Sequence, residues 1–194
     1  MSDVRRFADI EALSRAATGE FVALARDAID RRGRFSVALA GGSTPRRVYE
    51  LLSSPDHRAA VDWDRVEFFW GDERVVPPDH PDSNYGMAFA VLLAPLAVPS
   101  SRVHRIKAER LDLEEAARDY HMEIARVLGA EAAGPPPAFD LILLGMGADG
   151  HTASLFPYSE ALPERLPVQL VAPESGRLVW LVDQAAAAKL HGTA

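Results

Sequence analysis

Three short apolar runs, each broken off by a loop dense in glycine or charge, constrain this chain more than any other feature. They are FSVALA (35–40) running into GGSTP, VEFFW (66–70) running into GDER, and FDLILL (139–144) running into GMGADGH. Runs of this length without polar alternation belong to strands covered on both faces, as in parallel sheets. Helical patterns stand between them. Residues 9–31 place Ile10, Leu13, Ala17, Phe21, Leu24 and Ala28 on one stripe, and Gly33 stops it. RRVYELL, Asn84 to Leu93 and Leu113 to Leu128 also read as helices. Strands alternating with helices require right-handed crossovers and a sheet with helices on both faces. The expectation is an α/β chain with an open, mostly parallel sheet, forming one domain over residues 1–194. Arg102 to Ile106, VQLV and LVWLV are further candidate strands, GPPPA a rigid connector, and DQAAAAKL a terminal helix.

Composition narrows the function. The chain is 48% hydrophobic and 25% charged, ordinary for a globular protein. It has no cysteine, which removes disulfides, thiol nucleophiles and cysteine metal sites together, and suits a reducing compartment. MSDVRRFADIEAL has no apolar core of signal-peptide length, and no segment reaches the roughly 18 apolar residues of a membrane span. A cytoplasmic location and no membrane partner are expected. A formal charge of -7 disfavours nucleic acid as a partner, because such binding needs spread cationic charge. A small phosphorylated ligand needs only one local set of donors. Lys107 and Lys189 are the only lysines, and arginine suits bidentate oxyanion contacts. Arg5, Arg6, Arg31 and Arg32 read as a solvated face.

In open parallel sheets, ligands bind beyond the carboxyl ends of the strands. That rule selects the three loops. In GGSTP, Gly41 and Gly42 allow close backbone approach, Ser43 and Thr44 offer hydroxyls, and Pro45 suits a first helical position, making Thr44 the expected N-cap. The segment reads either as a phosphate site at a helix N-terminus or as a plain cap and turn. GDER supplies Asp72, Glu73 and Arg74, either to meet a phosphate and sugar hydroxyls or to pair with one another. The long loop continues to Ser83 and Asn84, which read best as caps for the next helix.

GMGADG fits the dinucleotide fingerprint G-x-G-x-x-G. The fingerprint needs a long helix directly after the glycines, followed by an acid about 20 residues on, and Glu174 falls near that place. Pro157, Pro163 and Pro167 interrupt the segment where the helix should run, so no dinucleotide site is expected. In the competing reading, Gly145, Gly147 and Gly150 let the backbone turn sharply and deliver His151 into the cleft at the start of a short helix, TASLF. A neutral imidazole accepts a proton near neutral pH, and Asp149 is placed to orient it if the turn is tight. His57, His80, His104, His121 and His191 read as structural or surface residues.

VALAGGSTP, FFWGDERVVPPDHPDSNYGMA and FDLILLGMGADGHTASLFP, in this order over about residues 35 to 157, resemble the 6-phosphogluconolactonases. The related glucosamine-6-phosphate isomerases share the first turn and a similar histidine segment. Their second motif carries tyrosine where Arg74 stands, and their histidine leads into asparagine-glutamate-proline rather than SLFP. The resemblance implies a Rossmann-like α/β fold and hydrolysis of 6-phosphoglucono-1,5-lactone to 6-phosphogluconate, without metal or cofactor. It implies His151 as general base, with Arg74, Ser43 and Thr44 on the phosphate. Asp149, Gly42, Asp72 and Gly147 complete the expected site, and backbone N–H groups of the 147–151 turn are the expected oxyanion donors. An aminosugar-6-phosphate isomerase or deaminase, and an inactive sugar-phosphate-binding protein, are the alternatives. In that family a further α/β segment, with a glycine-x-x-lysine motif whose lysine meets the phosphate, precedes the C-terminal strand. Here VAPESGR runs almost directly into LVWLVDQAAAAKL, which carries Lys189, so an internal segment is expected to be missing near Gly176 to Leu178.

Overall fold

The computed structural model describes residues 3–131, 134–156, 158 and 171–187. The elements run β1 (Asp3–Phe7), α1 (Ile10–Arg32), β2 (Phe35–Leu39), α2 (Ser43–Leu52), β3 (Val66–Trp70), α3 (Asn84–Ala88), α4 (Leu113–Leu128), β4 (Leu141–Ile142) and β5 (Val179–Asp183). The two long helices carry their own boundary signals. Asp9 caps α1 by accepting from the Ala12 N–H, and Asp112 caps α4 by accepting from the Glu115 N–H, both at 2.8 Å. Gly33 and Gly129 end them in the left-handed region, at φ 74° and 75°.

All strand pairs are parallel, in two sheets: β3-β2-β4 and β1-β5. Every residue of β2 and β3 is buried, as their nearly continuous apolar runs require, Ser36 and Glu67 being the polar exceptions. Phe35, Val37 and Leu39, with Val66, Phe68 and Trp70, join one core with Phe21 and Ala25 of α1 and Tyr49 and Leu52 of α2. The alternate residues face the other way. There Phe69 packs on His104 and Phe139, with ring centroids 4.6 and 5.2 Å away. Glu67 reaches His104, and His104 reaches Glu123 of α4. Helices thus cover both faces of an open α/β sheet. No helix among the described residues is long and apolar enough to cross a membrane.

Several sequence expectations need correction. The strand LVWLV does not join the main sheet; as β5 it pairs with β1, a strand the sequence reading missed because DVRRF has no apolar run. Of FDLILL only Leu141–Ile142 pairs as a strand. Arg102–Ile106 is no strand either: a 3-10 turn, Ser100–Arg102, precedes a single parallel bridge from Val103 to Phe68. Asn84–Leu93 is helical throughout, but its second half, Phe89–Leu93, widens into a π-helical turn. Arg5 and Arg32 are not merely solvated, since they make ion pairs with Glu20 and Asp140 across the chain. VQLV up to Gln169 and Leu170, together with Pro163, Pro167, Lys189 and the end of the expected terminal helix, lies outside the described residues.

The network behind β3 is buried and charged. His104 Nε2 lies 3.0 Å from Glu67 and Nδ1 lies 2.8 Å from Glu123, while Arg102 also donates to Glu67. Burial pushes the Glu67 carboxyl up, but hydrogen bonds from His104 and Arg102 outweigh it and hold the group below the usual glutamate range. A carboxylate depressed in the folded state contributes stability that is fully present above its unfolded value of about 4.3, and loses it as pH falls through the folded value. Glu67→Gln is therefore expected to destabilise the protein by about 3 kcal/mol in neutral urea melts, leaving His104 and Arg102 poorly paired. The gap between variant and parent should close below about pH 4.

Candidate active site

Two tyrosines fix where the first two loops begin. Tyr49 Oη donates to the Ala40 carbonyl at 2.9 Å and accepts from the Ala40 N–H at 3.0 Å. Tyr120 does the same to Trp70, at 2.9 and 2.8 Å. Burial pushes both phenols well up, so they stay neutral donors. Each side chain saturates one residue at the end of a strand, and GGSTP and GDER leave the sheet from pinned positions. Neither clamp carries a sequence signal, because each tyrosine reads as an ordinary helical apolar residue.

The first loop differs from expectation in register. Gly42, at φ 102°, is the N-cap of α2, and the first helical hydrogen bond runs from Arg46 N–H to the Gly42 carbonyl at 3.1 Å. Thr44 is therefore not the cap; Ser43 and Thr44 occupy the first turn with Pro45 behind them. The left-handed φ of Gly42 lets the helix start two residues early. As a result the Ser43 and Thr44 hydroxyls have no partner among the described residues, at a helix end that attracts anions.

In the second loop both carboxylates are hydrogen-bonded within the protein. Glu73 accepts from the Asn84 and Tyr85 N–H groups at 2.7 and 2.8 Å and from the Ser83 hydroxyl at 3.2 Å, so it holds the start of α3. Ser83 is the N-cap, accepting from Gly86 N–H at 3.0 Å. Asp72 accepts from Asn84 Nδ2 at 3.3 Å and from Ser154 Oγ at 2.6 Å. The exposed Arg74 guanidinium makes no ion pair or hydrogen bond among the described residues. With its neighbouring acids committed elsewhere, it is free to meet an anion.

The third loop is a tight turn. Gly147 N–H donates to the His151 carbonyl and Gly150 N–H to the Gly147 carbonyl, both at 2.9 Å. This brings His151 Nδ1 to 2.6 Å from Asp149 Oδ1, which also accepts from the His151 N–H at 3.2 Å. That backbone bond, followed by the imidazole, holds the Asp149 carboxyl below the usual aspartate range. Nε2 is the ring nitrogen left without a partner among the described residues. The expected oxyanion donors are overturned in part, because the N–H groups of Gly147, Gly150 and His151 are consumed inside the turn. TASLF is not helical. Thr152 and Leu155 form an antiparallel bridge, and Ala153 turns at φ 50°. The helix that a dinucleotide fingerprint needs after Gly150 does not follow it. Phe156 instead packs on the His151 ring, with centroids 4.7 Å apart.

The loops touch in sequence. Gly145 lies against the Gly41 carbonyl, and a Cβ on Gly41 would sit 1.9 Å from Asn84 Oδ1. Asn84 holds Asp72, and Asp72 holds Ser154. Because β3, β2 and β4 run parallel, all three loops leave the same end of the sheet, with the acid-oriented imidazole on one, and on the others a guanidinium and two hydroxyls that have no partner among the described residues.

Known proteins resemble this chain in sequence and in fold. Residues 8–177 match the family model described as glucosamine-6-phosphate isomerases/6-phosphogluconolactonase. The chain is 47% identical over 135 residues to 6-phosphogluconolactonase of Synechocystis sp., an alignment that takes in 70% of this chain and 54% of that protein. It is 38% identical over 143 residues to the Haemophilus influenzae 6-phosphogluconolactonase, covering 73% and 59%. The solved 6-phosphogluconolactonase of Trypanosoma brucei superposes with a TM-score of 0.79 at 26% identity, covering 98% of this chain and 99% of that one. The chain spans between 40% and 59% of the length of the curated relatives it matches. With the family model covering most of its length and relatives of this identity, this chain belongs to the glucosamine-6-phosphate isomerase/6-phosphogluconolactonase family.

Proposed function

We propose that the chain hydrolyses 6-phosphoglucono-1,5-lactone to 6-phosphogluconate. The observation that carries this reading is the Asp149–His151 pair, 2.6 Å apart, on the sheet edge that also holds Ser43, Thr44 and Arg74. The sugar phosphate docks through Arg74 and the first turn of α2, where charge-assisted bonds and the helix dipole favour an anion. That anchorage sets the lactone carbonyl beside the imidazole. Nε2 takes a proton from water as the water oxygen bonds to C1. The tetrahedral intermediate then collapses, the bond from C1 to the ring oxygen breaks, and the imidazolium returns the proton to that oxygen. The net change is addition of one water. Asp149 keeps the ring oriented with its proton on Nδ1.

Arg74 in place of the isomerases' tyrosine supports the lactonase over an aminosugar-phosphate isomerase or deaminase. Following both 6-phosphogluconate formation, above the spontaneous rate, and ammonia release from glucosamine 6-phosphate separates the two. Lactone opening without ammonia is expected; ammonia release alone would give the isomerase reading, and binding of 6-phosphogluconate without turnover an inactive binder. Arg74→Ala should raise KM for the phosphorylated lactone about tenfold or more and leave the weak hydrolysis of unphosphorylated gluconolactone unchanged. We also assign the reaction to the cytoplasm, which the cysteine-free composition accommodates. We further propose a single domain lacking an internal segment of its relatives near Gly176 to Leu178. An intact mass equal to that of the 194-residue sequence would support this, and a larger mass would refute it.

A further inference from the structure

Asp72 was expected to meet substrate, yet both oxygens of its carboxylate have partners in the protein. Oδ2 accepts from Ser154 Oγ at 2.6 Å, across 82 residues of sequence, and Oδ1 accepts from Asn84 Nδ2 at 3.3 Å. Asn84 Nδ2 also donates to the Asp72 carbonyl at 3.1 Å, which fixes the residue by backbone and side chain together. Asn84 is 5% exposed and has no room to shift, because the Gly41 backbone lies against its amide. Asp72 is therefore held by the first residue of α3, and Ser154 reaches it from the histidine turn.

The backbone on the Ser154 side is shaped for that reach. Between His151 and Ser154 the chain closes through Thr152 and Leu155, whose backbone bonds are 3.3 and 3.0 Å. Ala153 sits at φ 50°, a left-handed conformation that is strained for a residue with a Cβ. Thr152 Oγ1 ties the same turn to the Gly145 carbonyl at 2.9 Å. Beyond it Phe156 lies on the imidazole. The Asp72–Ser154 bond thus joins a turn with a strained residue to a loop anchored on β2 and α3, and the turn carries the histidine.

We propose that Asp72 and Ser154 form a latch that positions His151, so that Asp72 acts as a positioning residue and not as a ligand for sugar hydroxyls. The consequences for turnover rest on the lactonase reading above. In a double-mutant cycle on lactone hydrolysis, Ser154→Ala and Asp72→Ala should each lower kcat about tenfold with KM within about twofold, since a small misplacement of a catalytic group is costly. The double variant should be no worse than either single one, because both remove the same interaction. Ser154→Thr, which keeps the hydroxyl, should recover most of kcat. A second readout needs no catalysis: amide hydrogen exchange over residues 150–156 should quicken by a similar factor in both single variants. A tenfold rise in KM for Asp72→Ala with Ser154→Ala unaffected would overturn the latch and make Asp72 a substrate ligand. Should the parent chain open no lactone, the lactonase reading fails; unchanged hydrogen exchange in both variants would still overturn the latch, and faster exchange would still support it.

Discussion

Replacing His151 by alanine is expected to slow lactone hydrolysis by about 10²- to 10⁴-fold, the usual contribution of a positioned general base. The loss should fall on kcat, because the proposed phosphate anchorage is Arg74 and the first turn of α2, not His151. The fold should survive. The His151 side chain is 32% exposed and only part of one turn, so far-UV circular dichroism and urea midpoints should match the parent. The partner acid behaves predictably with pH. Asp149 is held below the usual aspartate range by the His151 N–H and imidazole, so it remains ionised as pH falls to its ordinary value of about 3.9. Its protonation is therefore not the source of an acid limb that lies above that value in the rate profile. A His151→Ala variant with near-parental kcat would remove the mechanism.

Gly147→Ala should be nearly as damaging, although the glycine carries no side chain. A Cβ at this position would lie 2.2 Å from both Cε1 and Nδ1 of His151 and 2.6 Å from Asp149 Oδ1. Backbone strain is not involved, since Gly147 is not among the residues with positive φ. The clash is with the two side chains that form the dyad, and they must swing away to admit the methyl group. A displacement near 1 Å of reacting groups can cost about 100-fold in rate, and that loss is expected in kcat with KM little changed. Gly19→Ala is the control. Nothing lies within 4 Å of a Cβ there, the site is within α1, and alanine should stabilise the helix by about 0.5–1 kcal/mol without altering turnover. If Gly147→Ala keeps parental kcat, the close Asp149–His151 pair is not what drives the reaction.

The sequence showed the elements whose physics is local. VEFFW coincides with β3 because a nearly continuous apolar run, interrupted only by Glu67, is what a doubly covered strand needs. Leu113–Leu128 coincides with α4 because Asp112 and Gly129 mark its ends by capping. The strand β1 was missed because its stability comes from pairing with β5 far along the chain, and DVRRF alone has neither run nor clear alternation. The same division applies to the site. The positions of the three loops followed from the strand ends, and the choice of His151 and Arg74 as candidates from residue chemistry. Glu73 as the anchor of α3, Tyr49 and Tyr120 as strand clamps, and the Asp72–Ser154 bond are long-range contacts without local signature. Thr44 was misplaced as a cap because a proline one residue on suggested the first helical position, whereas Gly42 adopts a backbone conformation that starts the helix sooner.

The most direct test of the account is the rate at which the purified 194-residue chain converts 6-phosphogluconolactone to 6-phosphogluconate, corrected for spontaneous hydrolysis and run beside His151→Ala. The account predicts saturable acceleration in the parent chain, competitive inhibition by 6-phosphogluconate, and a rate in the variant at least 100-fold lower. Parent and variant opening the lactone at the same rate as buffer alone would contradict it.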